Sequence, residues 1–344
     1  MKKTLIALAA VAASSAALAQ SSVTLFGIMD VAVRNVKQGG VSQSSLSQDG
    51  TASSRIGFRG VEDLGGGMSA GFWLEGALDP DTGNGAAALN FQRRSTVSLM
   101  GGFGEVRLGR DYTPTFWNHT VYDPFGTNGV GSSTNTFGAL GSGATTVVRA
   151  NNTIAYFTPN ISGFQGQFQY AFKETQTDND PNKYAGLRLT YNAGPLSVAL
   201  ATAAEGSAAA NVNKFKRTNV GASYDFGFIK PMAQYTIGKF ETNAGVDQEV
   251  KHLMVGLTAP VGPGLIKASY TRSSYDNFAG DANQVAIGYE YGLSKRTALY
   301  TNYSRISNKV GAAFSVSAEA GATGAAVTPG QSSRGFEVGV RHSF

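Results

Sequence analysis

The chain has 344 residues, 28 Lys and Arg against 23 Asp and Glu (formal net charge +5), 44 Gly and no Cys. The missing cysteines exclude thiol nucleophiles, thiolate metal sites and disulfide staples, and the balanced, dispersed charge gives no reason to invoke nucleic acid. A mean hydropathy of −0.11 and the lack of any run of ~18 apolar residues exclude a helical membrane span. Both leave a transmembrane β-barrel open, because its polar lumen dilutes its lipid face.

In chain order, residues 1–19 read as a signal peptide. Lys2 and Lys3 give the positive start, Leu5 to Val11 the apolar stretch, and Ala17-Leu18-Ala19 the small-residue cleavage site, leaving Gln20 as the mature start. The apolar stretch is too short to anchor the chain in a bilayer. Without Lys2 and Lys3 the mature chain holds 26 basic against 23 acidic side chains, or +3. Residues 20–344 show no domain boundary.

Runs of period two fill the mature chain, near 23–34, 53–62, 68–78, 91–101, 104–110, 151–158, 163–173, 184–192, 195–204, 217–226, 228–240, 250–259, 264–274, 284–292, 296–307 and 334–344. They predict sixteen strands. Connections alternate between short turns, such as Asp63 to Gly67 and Pro260 to Gly264, and long loops at 35–52, 79–90, 111–150, 174–183, 205–216, 241–249, 275–283 and 308–333. An even strand count with short turns on one side and long loops on the other fits an all-β, closed antiparallel transmembrane barrel.

Strand faces follow from parity. In RIGFRGVED, Ile56 and Phe58 share one face, so Arg55 and Arg59 share the other and must point at water. Leu253, Val255 and Leu257 oppose His252, Met254 and Thr258. Phe164, Phe168, Tyr170 and Phe172 mostly oppose Gln165, Gln167, Gln169 and Lys173. Tyr156, Tyr191, Tyr224, Tyr289, Tyr291 and Tyr300 near strand ends suit aromatic girdles. The terminal GFEVGVRHSF sets Phe336, Val338, Val340, His342 and Phe344 against Glu337 and Arg341.

SSVTLFGIMD, SRIGFRGVEDLGGGMSAGFWLE, FQRRSTVSLMGGFGEVRLGRDY, RANNTIAYFTPNISGFQGQFQY and the terminal GVRHSF together resemble the trimeric general porins of Gram-negative outer membranes, of the neisserial and β-proteobacterial type, across essentially the whole mature chain. The resemblance implies a sixteen-stranded barrel that passes small hydrophilic solutes and inorganic ions by passive diffusion, without a cofactor. It implies a homotrimer among outer-membrane lipid and lipopolysaccharide. It also implies a third external loop, here 111–150, folded inward to narrow the channel. Phe116, Trp117, Tyr122 and Phe125 would pack rather than float.

By the same resemblance, arginines line one wall of the constriction and acids on the inserted loop face them. Arg55 matches the first wall arginine, Arg93 or Arg94 the second, and Arg149 the third. The family's neutral residue after the arginine favours Arg93, and the doubled arginine leaves the choice open. Arg59 joins Arg55 by its shared face. Asp123 in YDPFG is the leading loop acid, Asp111 stands behind it, and Asp30 falls on the lumen face of the first strand. Asp111 and Asp123 are the only acids between Asp111 and Val148, so the constriction is expected to be positive and to prefer anions. Acids reaching the pore from other strands would weaken that preference.

Two other classes compete. A hydrolase needs an activated nucleophile beside a base. His119, His252 and His342 stand near no GxSxG or HExxH motif, and GGFGEV bridges two strands rather than opening a helix. A solute-specific channel would want aromatics along the pore wall, whereas the strand aromatics fall mostly outward. An adhesin or receptor role for the external loops is compatible with the same barrel.

Overall fold

The computed structural model describes residues 22–85, 90–137, 145–173, 180–207, 212–242, 248–276, 280–317 and 328–344. The expected leader at 1–19 and the mature start at Gln20 lie outside these residues, as does the middle of the last long connection, 318–327.

Sixteen strands form the wall among the described residues: β1 Ser22–Gln38, β2 Arg55–Gly65, β3 Met68–Asp79, β4 Arg94–Gly101, β5 Gly104–Tyr112, β6 Arg149–Phe157, β7 Phe164–Ala171, β8 Tyr184–Ala193, β9 Leu196–Glu205, β10 Val212–Tyr224, β11 Lys230–Thr242, β12 Gln248–Val261, β13 Gly264–Asp276, β14 Ala282–Gly292, β15 Thr297–Asn308 and β16 Ser333–Ser343. Each pairs antiparallel with the next, and β1 pairs with both β2 and β16, which closes the sheet and leaves no open edge. All sixteen expected strands form, with ends moved by a few residues.

The expected loop at 35–52 is shorter than its composition suggests. β1 continues to Gln38 and the chain returns as a short strand, Val41–Ser47, paired with Ala32–Gln38. Ser and Gln there mask the alternation.

Alternation divides every wall strand. Phe336, Val338, Leu253, Val255, Phe168 and Tyr170 lie exposed on the outer face, while Glu337, His252, Met254, Gln167 and Gln169 are buried on the inner face. Tyr156, Tyr191, Tyr224, Tyr289 and Tyr291 point outward as expected from parity. Tyr300 does not join that girdle. It stands at an inward position of β15, its ring sits over Gly50 and Gly339, and its hydroxyl donates to Asp30.

The connection from β5 to β6 carries structure of its own: helix α1, Pro114–Val121, and a 3-10 turn, Ser133–Thr136. Pro114 opens α1, where its fixed φ and missing N–H are no handicap. The connection lies against inward-facing wall side chains. Asn118 Nδ2 donates to Asn219 Oδ1 at 2.8 Å, and Arg217 Nη2 to Thr115 Oγ1 at 2.9 Å. Gln284 Nε2 donates to the Val130 and Ser132 carbonyls, and Ser273 Oγ and Tyr275 Oη to the Thr136 carbonyl. Wall glycines make the close approach feasible: a Cβ at Gly221 would stand 2.2 Å from Tyr122, and one at Gly256 would stand 2.6 Å from Pro124. Phe137 joins a buried cluster with Phe215, Phe240, Val250 and Tyr275, against which Phe314 of the last connection packs.

Candidate pore lining

Strands β2 to β6 bring the predicted arginines onto one wall. Arg55 and Arg59 share the inner face of β2, as parity requires. Arg55 Nη1 stands 3.5 Å from Glu75 Oε1, and Arg59 Cζ stacks 5.1 Å above Trp73 and 5.3 Å above Phe26. Both members of the doubled arginine reach this wall. Arg94 takes an inward position at the start of β4, with Cζ 4.5 Å above Trp73 and Nε 3.6 Å from Asp111 Oδ2. Arg93 precedes the strand and turns its Nε to Glu75 Oε1 at 2.7 Å. Arg149 begins β6, donating from Nε to the Arg93 carbonyl at 2.8 Å and from Nη2 to Tyr112 Oη at 2.6 Å.

Tyr112 ties this wall to the loop. Its hydroxyl also accepts from Arg93 Nη2 at 3.1 Å, its ring lies 4.2 Å from Arg149 Cζ, and it stacks on Phe116 and meets Trp117 edge-on. One phenol thereby fixes two guanidiniums and the first turn of α1.

The acids go to different places. Asp111 lies in β5 and accepts from Arg107 Nη1 at 2.6 Å. Asp123 is buried in the loop, where its carboxylate accepts the backbone N–H of Phe125, Thr127 and Ser133 at 2.8, 3.3 and 2.8 Å. Burial pushes its carboxyl above the ordinary aspartate value, against those hydrogen bonds. Its charge is occupied in holding a turn. Asp30 is buried on the inner face of β1, accepting from the Thr51 and Ala52 N–H groups at 2.9 Å and from the Thr51 hydroxyl at 2.7 Å.

Several groups escaped the sequence reading. Glu75 on β3 sits between Arg55 and Arg93, and Trp73 Nε1 donates to it at 3.2 Å. Arg107 binds Glu105 through two nitrogens, at 2.8 and 2.9 Å, with its Cζ 4.2 Å above Phe157. Arg188, on β8, donates to Asn118 of α1 at 2.6 Å. Their inward parity was readable, since Glu75 shares a face with Trp73 and Arg107 with Glu105.

Other inward cations are matched by acids. Arg34 pairs with Glu337 and Asp49, Arg217 with Glu205, and Lys267 and Arg341 with Glu290. Below α1 a cavity of about 340 Å³ is lined by Arg94, Arg107 and Arg188 together with Trp117, Gln167 and Thr190, and no acid lines it.

His119 of α1 is buried beside Phe137 and His252, with ring centroids 5.1 and 6.1 Å away. Burial, aided by the Arg217 charge, holds its imidazole well below the ordinary histidine value, so it is neutral at physiological pH. His252 donates to or accepts from Ser273 Oγ at 2.9 Å, and His342 is engaged with Thr297. His119 is held by packing, with no hydrogen-bond partner at either ring nitrogen, whereas His252 and His342 each share one hydrogen bond with a neighbouring hydroxyl.

A family model described as Gram-negative porin matches residues 4–312. The chain is 46% identical to outer membrane porin protein 32 of Delftia acidovorans, and 28% identical to the major outer membrane protein P.IB of Neisseria meningitidis serogroup B, each alignment covering all of both chains. Among solved structures, the anion-selective porin from Comamonas acidovorans superposes with a TM-score of 0.84 at 40% identity, covering 94% of this chain and 100% of that one. A closed sixteen-stranded wall, a charged inner face and an apolar outer face therefore have a family to which they belong: this chain is a member of the Gram-negative porins, a general diffusion pore of the outer membrane.

Proposed function

We propose that the pore prefers anions, and that its constriction lies between the connection 111–150 and the basic wall of Arg55, Arg59, Arg93, Arg94 and Arg149. The observation that carries the reading is the cavity beside α1, lined by three guanidiniums and no carboxylate. Cations facing water in a narrow lumen raise the local concentration of anions and oppose the entry of cations. Asp111 and Glu105 offset Arg94 and Arg107 of that cavity, and Glu75 offsets Arg55 and Arg93, through their ion pairs. Asp123 contributes less to a transverse field than its position in the loop suggests, because its carboxylate is buried against backbone N–H groups.

The close relationship to an anion-selective porin supports the same reading. The family resemblance supports assembly as a homotrimer and cleavage of a leader after Ala19. No specific solute is needed to account for the lining, whose selectivity follows from width and charge.

The test is the reversal potential across a planar bilayer under a potassium chloride gradient, for the wild type and for Arg55→Ala and Arg149→Ala. A chloride-favouring potential that shrinks in both variants is expected. Potassium preference, or variants identical to wild type, would overturn the electrostatic reading.

A further inference from the structure

We propose that the seat of the connection 111–150 on the wall binds one soft monovalent metal ion of the Cu(I) class, held between His119 of α1 and His252 of β12 with the Met254 thioether beside them. The ion would staple the connection to the wall.

Unpaired buried atoms point to this seat. His119 and His252 are both fully buried, and neither nitrogen of His119 nor Nε2 of His252 has a hydrogen-bond partner. Buried polar atoms ordinarily have one. The lone pair of His252 can be located. Ser273 Oγ gives its single proton to the Thr136 carbonyl at 2.7 Å, so it accepts from His252 Nδ1 at 2.9 Å. The imidazole proton is therefore on Nδ1, and Nε2 is bare. An imidazole tied down through the N–H of its other nitrogen is oriented as metal-binding histidines are. His119 is neutral, as ligation requires. Packing alone holds it, so it can turn either nitrogen to an ion.

Ring spacing fits a shared ion. With metal–nitrogen bonds of about 2 Å and about 1.15 Å from nitrogen to ring centre, two imidazoles on one ion have centroids roughly 5 Å apart at a tetrahedral angle and roughly 6.3 Å apart on a line. The observed 6.1 Å lies near the line, and the 61° between the ring planes is a twist that a linear arrangement allows. Phe137 flanks both rings, at 5.1 and 5.2 Å, and gives the pair an apolar side.

The surroundings select the ion. Among the described residues no group of three His, Asp or Glu side chains is placed to hold a metal, so a hard divalent ion lacks the carboxylate oxygens it needs. Arg217, paired with Glu205, reaches His119 with its charge, which opposes a divalent ion twice as strongly as a monovalent one. Met254 lies two residues from His252 on the same buried inner face, opposite Gln234 of β11, and Gln234 lies beside His119. A thioether with two imidazoles is a soft set that suits Cu(I). Water would serve the nitrogens without any need for the thioether, and the test separates the two.

Because both imidazoles are buried, Cu(I) is supplied while full-length protein without an affinity tag folds in detergent. Retained copper is then measured in competition with bicinchoninate. One ion per chain is expected, with nitrogen and sulfur neighbours in its X-ray absorption spectrum. Affinity should fall at least about tenfold in His119→Phe and in His252→Phe, while His342→Ala binds as wild type. Met254→Leu, which conserves volume, should keep the ion and lose the sulfur neighbour. Resistance to sodium dodecyl sulfate shows that each variant has folded. No retained copper in the wild type would overturn the proposal and leave the nitrogens to water. So would retention that survives both histidine substitutions, or a spectrum with oxygen neighbours alone. None of these outcomes depends on anion preference, which reversal potential measures separately.

Discussion

Glu75 decides how much of the basic wall's charge a passing ion meets. One carboxylate serves two arginines, with Arg93 at 2.7 Å and Arg55 at 3.5 Å. In Glu75→Gln the amide oxygen still accepts from Arg93, so the side-chain packing survives while one negative charge is removed. A unit charge some 6 Å from an ion in water is worth roughly 0.7 kcal/mol, with opposite sign for chloride and potassium, so before screening their permeability ratio should rise about tenfold. Reversal potential reads this directly, and a shift toward potassium would show that Glu75 is shielded from the ion path. Strand parity and family resemblance coincided at Arg55; Arg59 followed from parity, and Arg93, Arg94 and Arg149 from the resemblance alone. Glu75 was equally open to parity, as the neighbour of Trp73 across from Arg59, but the resemblance drew attention to acids on the loop. The destination of Asp123 was not legible, because the fold of the loop buries its carboxylate and no local pattern announces that.

At the scale of elements, the strands announce themselves by period two, and so the sixteen were readable to within a few residues. The connection 111–150 carries no such signal. Pro114 and the aromatic residues marked it as packed, but α1 emerges only where it can rest on β8 to β10. That rest depends on small wall residues. A Cβ at Gly221 would stand 2.2 Å from Tyr122, whose hydroxyl bonds Ser197 at 3.0 Å. Gly221 lies mid-strand on β10 with ordinary extended backbone, so Gly221→Val costs the wall nothing in geometry and favours strand. The conflict falls on the loop. The variant should therefore keep its barrel, seen as unchanged resistance of the folded form to sodium dodecyl sulfate, while single-channel conductance rises or becomes noisy as Tyr122 leaves its seat. Unchanged, quiet conductance would mean that the loop does not narrow the channel at that point.

At the scale of the whole molecule, selectivity belongs to a field rather than to a contact. The formal charge of the chain is small, and its sign says little about the pore. What matters is that many inward cations are matched by buried acids, as Arg34 is by Glu337 and Arg217 by Glu205, while Arg59 lies against rings and Arg188 against Asn118 rather than a carboxylate. The remaining cations act on ions through water, over distances set by screening. The Debye length falls from about 10 Å at 0.1 M salt to about 3 Å at 1 M, less than the reach from the wall to the middle of a water-filled lumen. Anion preference should therefore decline steadily as a fixed twofold potassium chloride gradient is moved from 0.1 M to 1 M, with the permeability ratio approaching unity at the high end. Arg149→Ala should lose the most at low salt and converge on wild type at high salt. A preference that stays constant across this range would have to arise from direct contact at a guanidinium, with the ion partly stripped of water. The cavity beside Arg94, Arg107 and Arg188 would then act as a binding station, and chloride current would saturate with concentration instead of rising in proportion to it.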